Sequence, residues 1–206
     1  MRDLAGGRLP RPIPETVAGW MSESDLGVLF ALACTAPGPR LLEVGSFLGL
    51  STCALLQVPG GRLTCVDTWK GSPPWIPEGD YLPAFLDNVA PFEPDPAPIP
   101  IGTVRFSRGR VQVRRGPSQE ILPALAREGL HFDFAFVDAS HVYEDVSVDL
   151  THAWDLLVPG GILVADDYVG THPGVKEAWD EQFEGTTYAR LAPFPGTKLA
   201  AAWRSP

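Results

Sequence analysis

The chain has 206 residues, 45% of them hydrophobic, which is enough for one compact domain with a substantial core. Its formal net charge of −9, with no basic run, speaks against general nucleic-acid binding and against attraction to anionic lipid. The one local exception is a cluster of Arg105, Arg108, Arg110, Arg114 and Arg115.

Residues 1–20 are rich in Pro, Gly and Arg and read as a loose N-terminal arm ahead of a domain spanning 21–206. The arm has no apolar segment of the secretory type, and nothing in the chain approaches a membrane span. Cys34, Cys53 and Cys65 are odd in number, lack C-x-x-C spacing and lie among apolar neighbours. They are expected to be buried free thiols in a reducing compartment. These features together predict a soluble, cytoplasmic protein with no membrane partner.

In chain order, Ser22 stands as an N-cap before the apolar face of "SESDLGVLFALACTA", a helix broken by "PGPR". "RLLEVGS" is a short buried strand, "LGLSTCALLQV" a helix ended by "PGG", and "RLTCVDTW" a second buried strand. A long Pro-rich insertion covers about 71–105. Within it, "DYLPAFLDNV" suits a helix, while the stretch over 91–102 suits a surface loop. The alternation then resumes with strand "VQVRRG", helix "PSQEILPALARE", strand "FDFAFVDA" and helix "EDVSVDLTHAWDLL". After a "PGG" punctuation come strand "ILVADDY" and helix "PGVKEAWDEQF". The final "TYARLAPFPGTKLAAAW" reads as an antiparallel hairpin. Strands alternating with helices predict a single α/β domain. Its sheet has about seven mostly parallel strands, with helices on both faces and an antiparallel hairpin at the C-terminus.

The junction "EVGSFLGLS" places Glu43, Gly45 and Gly49 where a first strand meets its helix. In open α/β sheets that carboxyl edge is where ligands sit. Asp67 ends the next strand, about 20 residues on, which is the place for a carboxylate that accepts from both ribose hydroxyls. A dinucleotide site would show G-x-G-x-x-G, but the position two after Gly45 is Phe47, which disfavours a phosphate cradle. A nucleoside without phosphate, such as S-adenosylmethionine, fits both what is present and what is missing. An NAD- or nucleotide-sugar-binding oxidoreductase is the competing reading.

"LLEVGSFLGLS", "VDTWKG" and "RRGPSQEIL", in that order and spacing, resemble the motifs of the class I S-adenosylmethionine-dependent methyltransferases, which have a Rossmann-like fold. The resemblance runs from about Trp20 to Trp203. It implies a cofactor site made from Glu43, Gly45, Ser46, Gly49, Ser51, Asp67, Thr68, Trp69, Gly116, Ser118 and Asp138. "FVDASHVYEDVSVDL", "LLVPGGILVADDY" and "HPGVKEAW" are similar to the branch that methylates sugars and small molecules in bacterial natural-product pathways. A small-molecule hydroxyl acceptor is implied.

Asp138 ends one strand, and Asp166 and Asp167 end the next. If those strands are neighbours, three carboxylates meet at the cofactor edge, and all-oxygen ligation suits Mg2+. Such a cation would relieve the repulsion between Asp166 and Asp167 and lower the pKa of a substrate hydroxyl. His141, three residues after Asp138, is placed to take that hydroxyl's proton. The resemblance implies the same roles: Asp138, Asp166 and Asp167 as metal ligands, and His141 as base. Plainer readings stand beside these. Asp138 caps a segment or binds the cofactor's ammonium group, Asp167 caps a turn, and His141 is a satisfied polar residue, leaving a metal-independent enzyme of the same fold. His172 is a candidate for the acceptor pocket, and Trp69 for flanking the adenosine. Trp154 and Trp179 are expected in the core. The sequence leaves a homodimer open.

Overall fold

A computed structural model of the chain describes residues 8–93, 109–186, 189–191 and 193–205. The start of the arm, most of the Pro-rich loop, and Arg105 and Arg108 lie outside the described residues.

Seven strands form one sheet: β1 (Arg40–Val44), β2 (Arg62–Asp67), β3 (Val111–Arg115), β4 (Phe132–Val137), β5 (Leu157–Ala165), β6 (Ala189–Leu191) and β7 (Ala200–Trp203). Their spatial order is β3-β2-β1-β4-β5-β7-β6. The first five run parallel, β7 is antiparallel to β5, and β6 is antiparallel to β7. The chain leaves β1 toward β2 on one side and later returns to β4 on the other. The strand order therefore reverses between β1 and β4, and a crevice opens above their carboxyl ends.

The period-two alternation of each strand splits the core in two. Leu41, Leu63, Phe134, Phe136 and Val164 face α1 (Glu23–Ala33), α2 (Leu50–Leu55) and α3 (Leu82–Val89). Leu42, Val44, Ala135, Val137 and Leu163 face α4 (Ser118–Arg127), α5 (Tyr143–Asp155) and α6 (Pro173–Phe183). Trp154 and Trp179 are buried in this second layer, as expected from their helical spacing. The Ser22 cap is a full capping box: its hydroxyl accepts from Asp25 N–H, and its own N–H donates to the Asp25 carboxylate.

Three expectations change. Residues 8–20 are docked rather than loose: Arg11 bonds Gln57 and Pro91, Val17 is buried, and Trp20 stacks on Phe47. "PGG" at 159–161 is part of β5 rather than its start. There Gly160 N–H donates to Arg204 O and Arg204 N–H to Gly161 O, so the strand absorbs an irregularity opposite β4. Cys34 is exposed because it is the C-cap of α1, whereas Cys53 and Cys65 are buried free thiols.

Candidate active site

A cleft of about 590 Å³ runs across the carboxyl ends of the parallel strands, from Gly116 after β3 to Lys198 before β7. Its floor is the turn after β1. Gly45 has φ +88°, and a Cβ there would lie 2.2 Å from the Asp138 carbonyl oxygen, so only glycine lets the ends of β1 and β4 close together. Gly45 N–H donates to Val66 O and Asp138 N–H to Val44 O, which ties three strand ends into one platform.

Asp67 organises this turn. Its Oδ2 accepts from Ser46 N–H and Phe47 N–H, both at 2.8 Å, and its Oδ1 from Trp69 N–H at 2.6 Å. Among the described residues, three non-glycine positions have left-handed backbone: Phe47, Trp69 and Asp167. All three border the cleft. Bulky side chains rarely tolerate that conformation, so strain is concentrated where the cleft is shaped.

The other end of the cleft is ionic. Lys198 Nζ stands 2.7 Å from Asp166 Oδ2 and 2.7 Å from Asp167 Oδ1. His141 Nε2 stands 2.8 Å from Asp167 Oδ2, and its ring stacks on His172 with centroids 4.0 Å apart. Burial would raise the Asp167 carboxyl, but the bonds from His141 and Lys198 outweigh it and hold the pKa at about 2. Asp166 is pushed up to about 6 by burial, with the Lys198 ammonium opposing. Asp138 is raised well above the carboxylate range by burial and by repulsion from Asp166 and Asp167. The Lys198 ammonium, despite burial, is raised by the same two aspartates.

A family model described as a methyltransferase domain matches residues 42–168. The chain belongs to this methyltransferase family. The resemblance to methyltransferases read from the motifs therefore holds at the level of the family. A polyketide synthase of Burkholderia thailandensis, ThaG, is 29% identical over 130 residues, which is 63% of this chain but only 2% of that protein. Solved structures that share the fold include two enzymes of natural-product synthesis. The O-methyltransferase TomG of Streptomyces achromogenes, involved in tomaymycin synthesis and solved with S-adenosylmethionine, has a TM-score of 0.64 and 24% identity over 93% of this chain and 83% of that one. A TDP-rhamnose 3'-O-methyltransferase of calicheamicin biosynthesis has a TM-score of 0.59 and 18% identity, covering 86% of this chain and 76% of that one.

Of the residues named from the motifs, Gly45, Ser46, Ser51, Asp67, Thr68, Gly116, Ser118 and Asp138 line the cleft. Glu43 and Gly49 do not. Glu43 is fully buried and its carboxylate accepts from Ser46, Ser51 and Thr52 hydroxyls at 2.6 Å each, with the Cys65 thiol at 3.4 Å. It holds the turn from below and is closed off from any cofactor. Gly49, φ +89°, begins α2 with its Cβ direction toward Val89 and Phe85, away from the cleft. Trp69 borders the cleft, but its ring is 1% exposed and packs on Phe85, so it presents no free face to an adenine.

The expected metal set is also altered. Asp138, Asp166 and Asp167 bring oxygens within 4.8 Å of one another, a donor set of the right chemistry. Both oxygens of Asp167 are already committed, one to His141 and one to Lys198, and Lys198 also holds Asp166. As arranged, these residues do not fit a bare divalent ion. The partner that relieves the Asp166–Asp167 repulsion is an ammonium from the same chain.

Lys198 was not singled out from the sequence, nor were Asp149 and Gln119, which line the cleft beside Ser118. A signal existed for Lys198. It is one of only three lysines, and it sits in the turn of the C-terminal hairpin. Pairing β7 with β5 brings Ala200 opposite Ala165 and so carries Lys198 to Asp167. The sequence pairs β7 with β6, not with β5, so that register is not visible in it.

Proposed function

We propose that this enzyme transfers the methyl group of S-adenosylmethionine to a hydroxyl of a sugar or other small polar molecule, with His141 as the general base. The observation that carries the reading is the His141–Asp167 pair at the mouth of a cleft whose other end has the ribose- and adenine-type motifs.

Asp167 is held ionised, so it can only accept, and in the neutral imidazole the proton that faces it is on His141 Nε2. Nδ1 is then the nitrogen with a free lone pair. A hydroxyl placed against Nδ1 gives up its proton there, and the resulting imidazolium is stabilised by Asp167. His172, stacked on His141, fixes the plane of the ring. S-adenosylmethionine, when bound, supplies an activated methyl on sulfonium. Asp67 and the backbone of the turn it holds position the nucleoside, and Ser118 and Gln119 border the adenine end. Asp138, beside Gly45 in the cleft, would accept from the cofactor's α-ammonium group. The bound cofactor would supply the methyl, with the C–S bonding electrons left on sulfur, and His141 would keep the proton taken from the hydroxyl.

A fold neighbour that acts on TDP-rhamnose supports a sugar, and TomG and ThaG support natural-product chemistry. The test is methylation with labelled S-adenosylmethionine against nucleotide sugars, free sugars and phenols, followed by mass spectrometry of the product. The methyl is expected on oxygen. His141→Ala should lower turnover by about 10²–10⁴-fold while leaving cofactor affinity within about twofold. A methyl found on nitrogen or carbon, or a variant that loses only cofactor affinity, overturns the reading.

A further inference from the structure

We propose that Lys198 is the resident cation of the carboxylate cluster, standing where a divalent metal would stand, and that methyl transfer therefore proceeds without a divalent ion. The catalytic half of this statement rests on the O-methyl transfer proposed above; the cation-binding half does not.

Asp138, Asp166 and Asp167 would place three negative charges within one coordination sphere. Such a group needs a cation, a proton or both. Lys198 meets it with two bonds of 2.7 Å, one to Asp166 Oδ2 and one to Asp167 Oδ1. Asp167 is left with no uncommitted oxygen, and Asp166 keeps only Oδ1, which is buried and has no partner among the described residues. An ammonium and a dication cannot share the oxygens that Lys198 holds, because two cations at contact distance in a half-buried site repel strongly.

The lysine is built in rather than swung in from solvent. Its backbone N–H donates to Asp25 Oδ1 at 3.2 Å, and its carbonyl accepts from Tyr168 N–H at 2.9 Å. Asp25 is itself the buried partner in the capping box of α1. Both backbone groups of Lys198 are therefore pinned, one to the first helix and one to the segment just after Asp167. Its side chain is 22% exposed, against 2% for Asp166.

The geometry also links this cation to the base. Asp167 takes Lys198 on one oxygen and His141 on the other. Among the described residues, the third ammonium hydrogen has no protein acceptor. It is free to donate to the acceptor's oxygen while Nδ1 of His141 removes the proton. A metal would polarise that oxygen as a Lewis acid; Lys198 does so as a hydrogen-bond donor carrying a full charge.

The test is titration of the full chain with Mn2+, following the free-ion signal by electron paramagnetic resonance. Cofactor-product binding is measured by calorimetry on the same samples. Wild type is expected to leave Mn2+ free, and its turnover is expected to survive exhaustive chelation. Lys198→Met should gain an Mn2+ site, with affinity raised at least about tenfold. Lys198→Gln serves in its place should Lys198→Met not fold. Stoichiometric Mn2+ binding by wild type, or turnover lost to chelator and restored by Mg2+, overturns the proposal. So does a folded Lys198 variant that still leaves Mn2+ free. Failure of wild type to bind the cofactor product would sink the methyl-transfer reading instead, and the Mn2+ result would stand apart from it.

Discussion

Asp149 on α5 is 1% exposed and lines the cleft beside Ser118, and among the described residues neither of its carboxyl oxygens has a hydrogen bond of good geometry. Burial pushes its pKa up to about 6, with the Ser118 hydroxyl tempering the shift. In the unfolded chain the group titrates near 3.9. The folded chain thus holds the proton more tightly, so stability rises as pH falls from about 6 toward 4, and the full penalty for the charge is present above pH 6. Integrated from about pH 8 down to about pH 4.5, the gain is about 2 kcal/mol from this one group. Asp149→Asn keeps the shape and removes the titration. The amide has its own burial cost, but that cost does not change with pH and cancels in the comparison. The wild-type-minus-variant difference in unfolding free energy should therefore move by about 2 kcal/mol in favour of wild type on acidification, or about 4–8 °C in Tm for a domain of this size. Urea unfolding of both proteins at the two pH values measures it. A difference flat to within about 0.5 kcal/mol, or one that moves toward the variant in acid, refutes the reasoning.

Two further changes probe the floor of the cleft. Gly45→Ala drives a Cβ to 2.2 Å from the Asp138 carbonyl and asks alanine for φ +88°. It should destabilise by about 3–5 kcal/mol, read as a lower urea midpoint, and abolish cofactor-product binding by calorimetry. Asp67→Ala orphans the N–H groups of Ser46, Phe47 and Trp69. Calorimetry should show at least about a tenfold loss of cofactor-product affinity, with a smaller stability loss of about 1–3 kcal/mol because the turn can reach water.

Much of the architecture is visible in the residues alone. β1, β2 and β4 are short apolar runs, Gly- and Pro-containing breaks precede β1 and β2, and the helices between the strands carry apolar faces that point inward from both sides. Ser22, Pro173 and the glycines after β1 mark their junctions locally, and local signals survive translation into three dimensions. The carboxylates at the ends of β4 and β5 were legible for the same reason, since a strand ending in Asp delivers it to the sheet edge. What the sequence hid was pairing at a distance. Glu43 looks like a ligand residue by its motif position, yet it turns beneath the platform because Ser46 from the turn after β1, Ser51 and Thr52 from the first turn of α2 and Cys65 from β2 converge on it. Lys198 looks like a turn lysine until β7 is laid against β5. The docking of residues 8–20 depends on Arg11 reaching Pro91, 80 positions away. No periodicity reports such contacts.

The central claim is a nucleoside cofactor seated over Gly45, Ser46 and Asp67 at the carboxyl ends of β1 and β2. Isothermal titration of the purified chain with S-adenosylhomocysteine, with NAD as the control, addresses it most directly. One site per chain for S-adenosylhomocysteine, weakened by Asp67→Ala, and no heat with NAD is the expected result. A folded protein that binds NAD, or that gives no heat with S-adenosylhomocysteine or S-adenosylmethionine, contradicts the account.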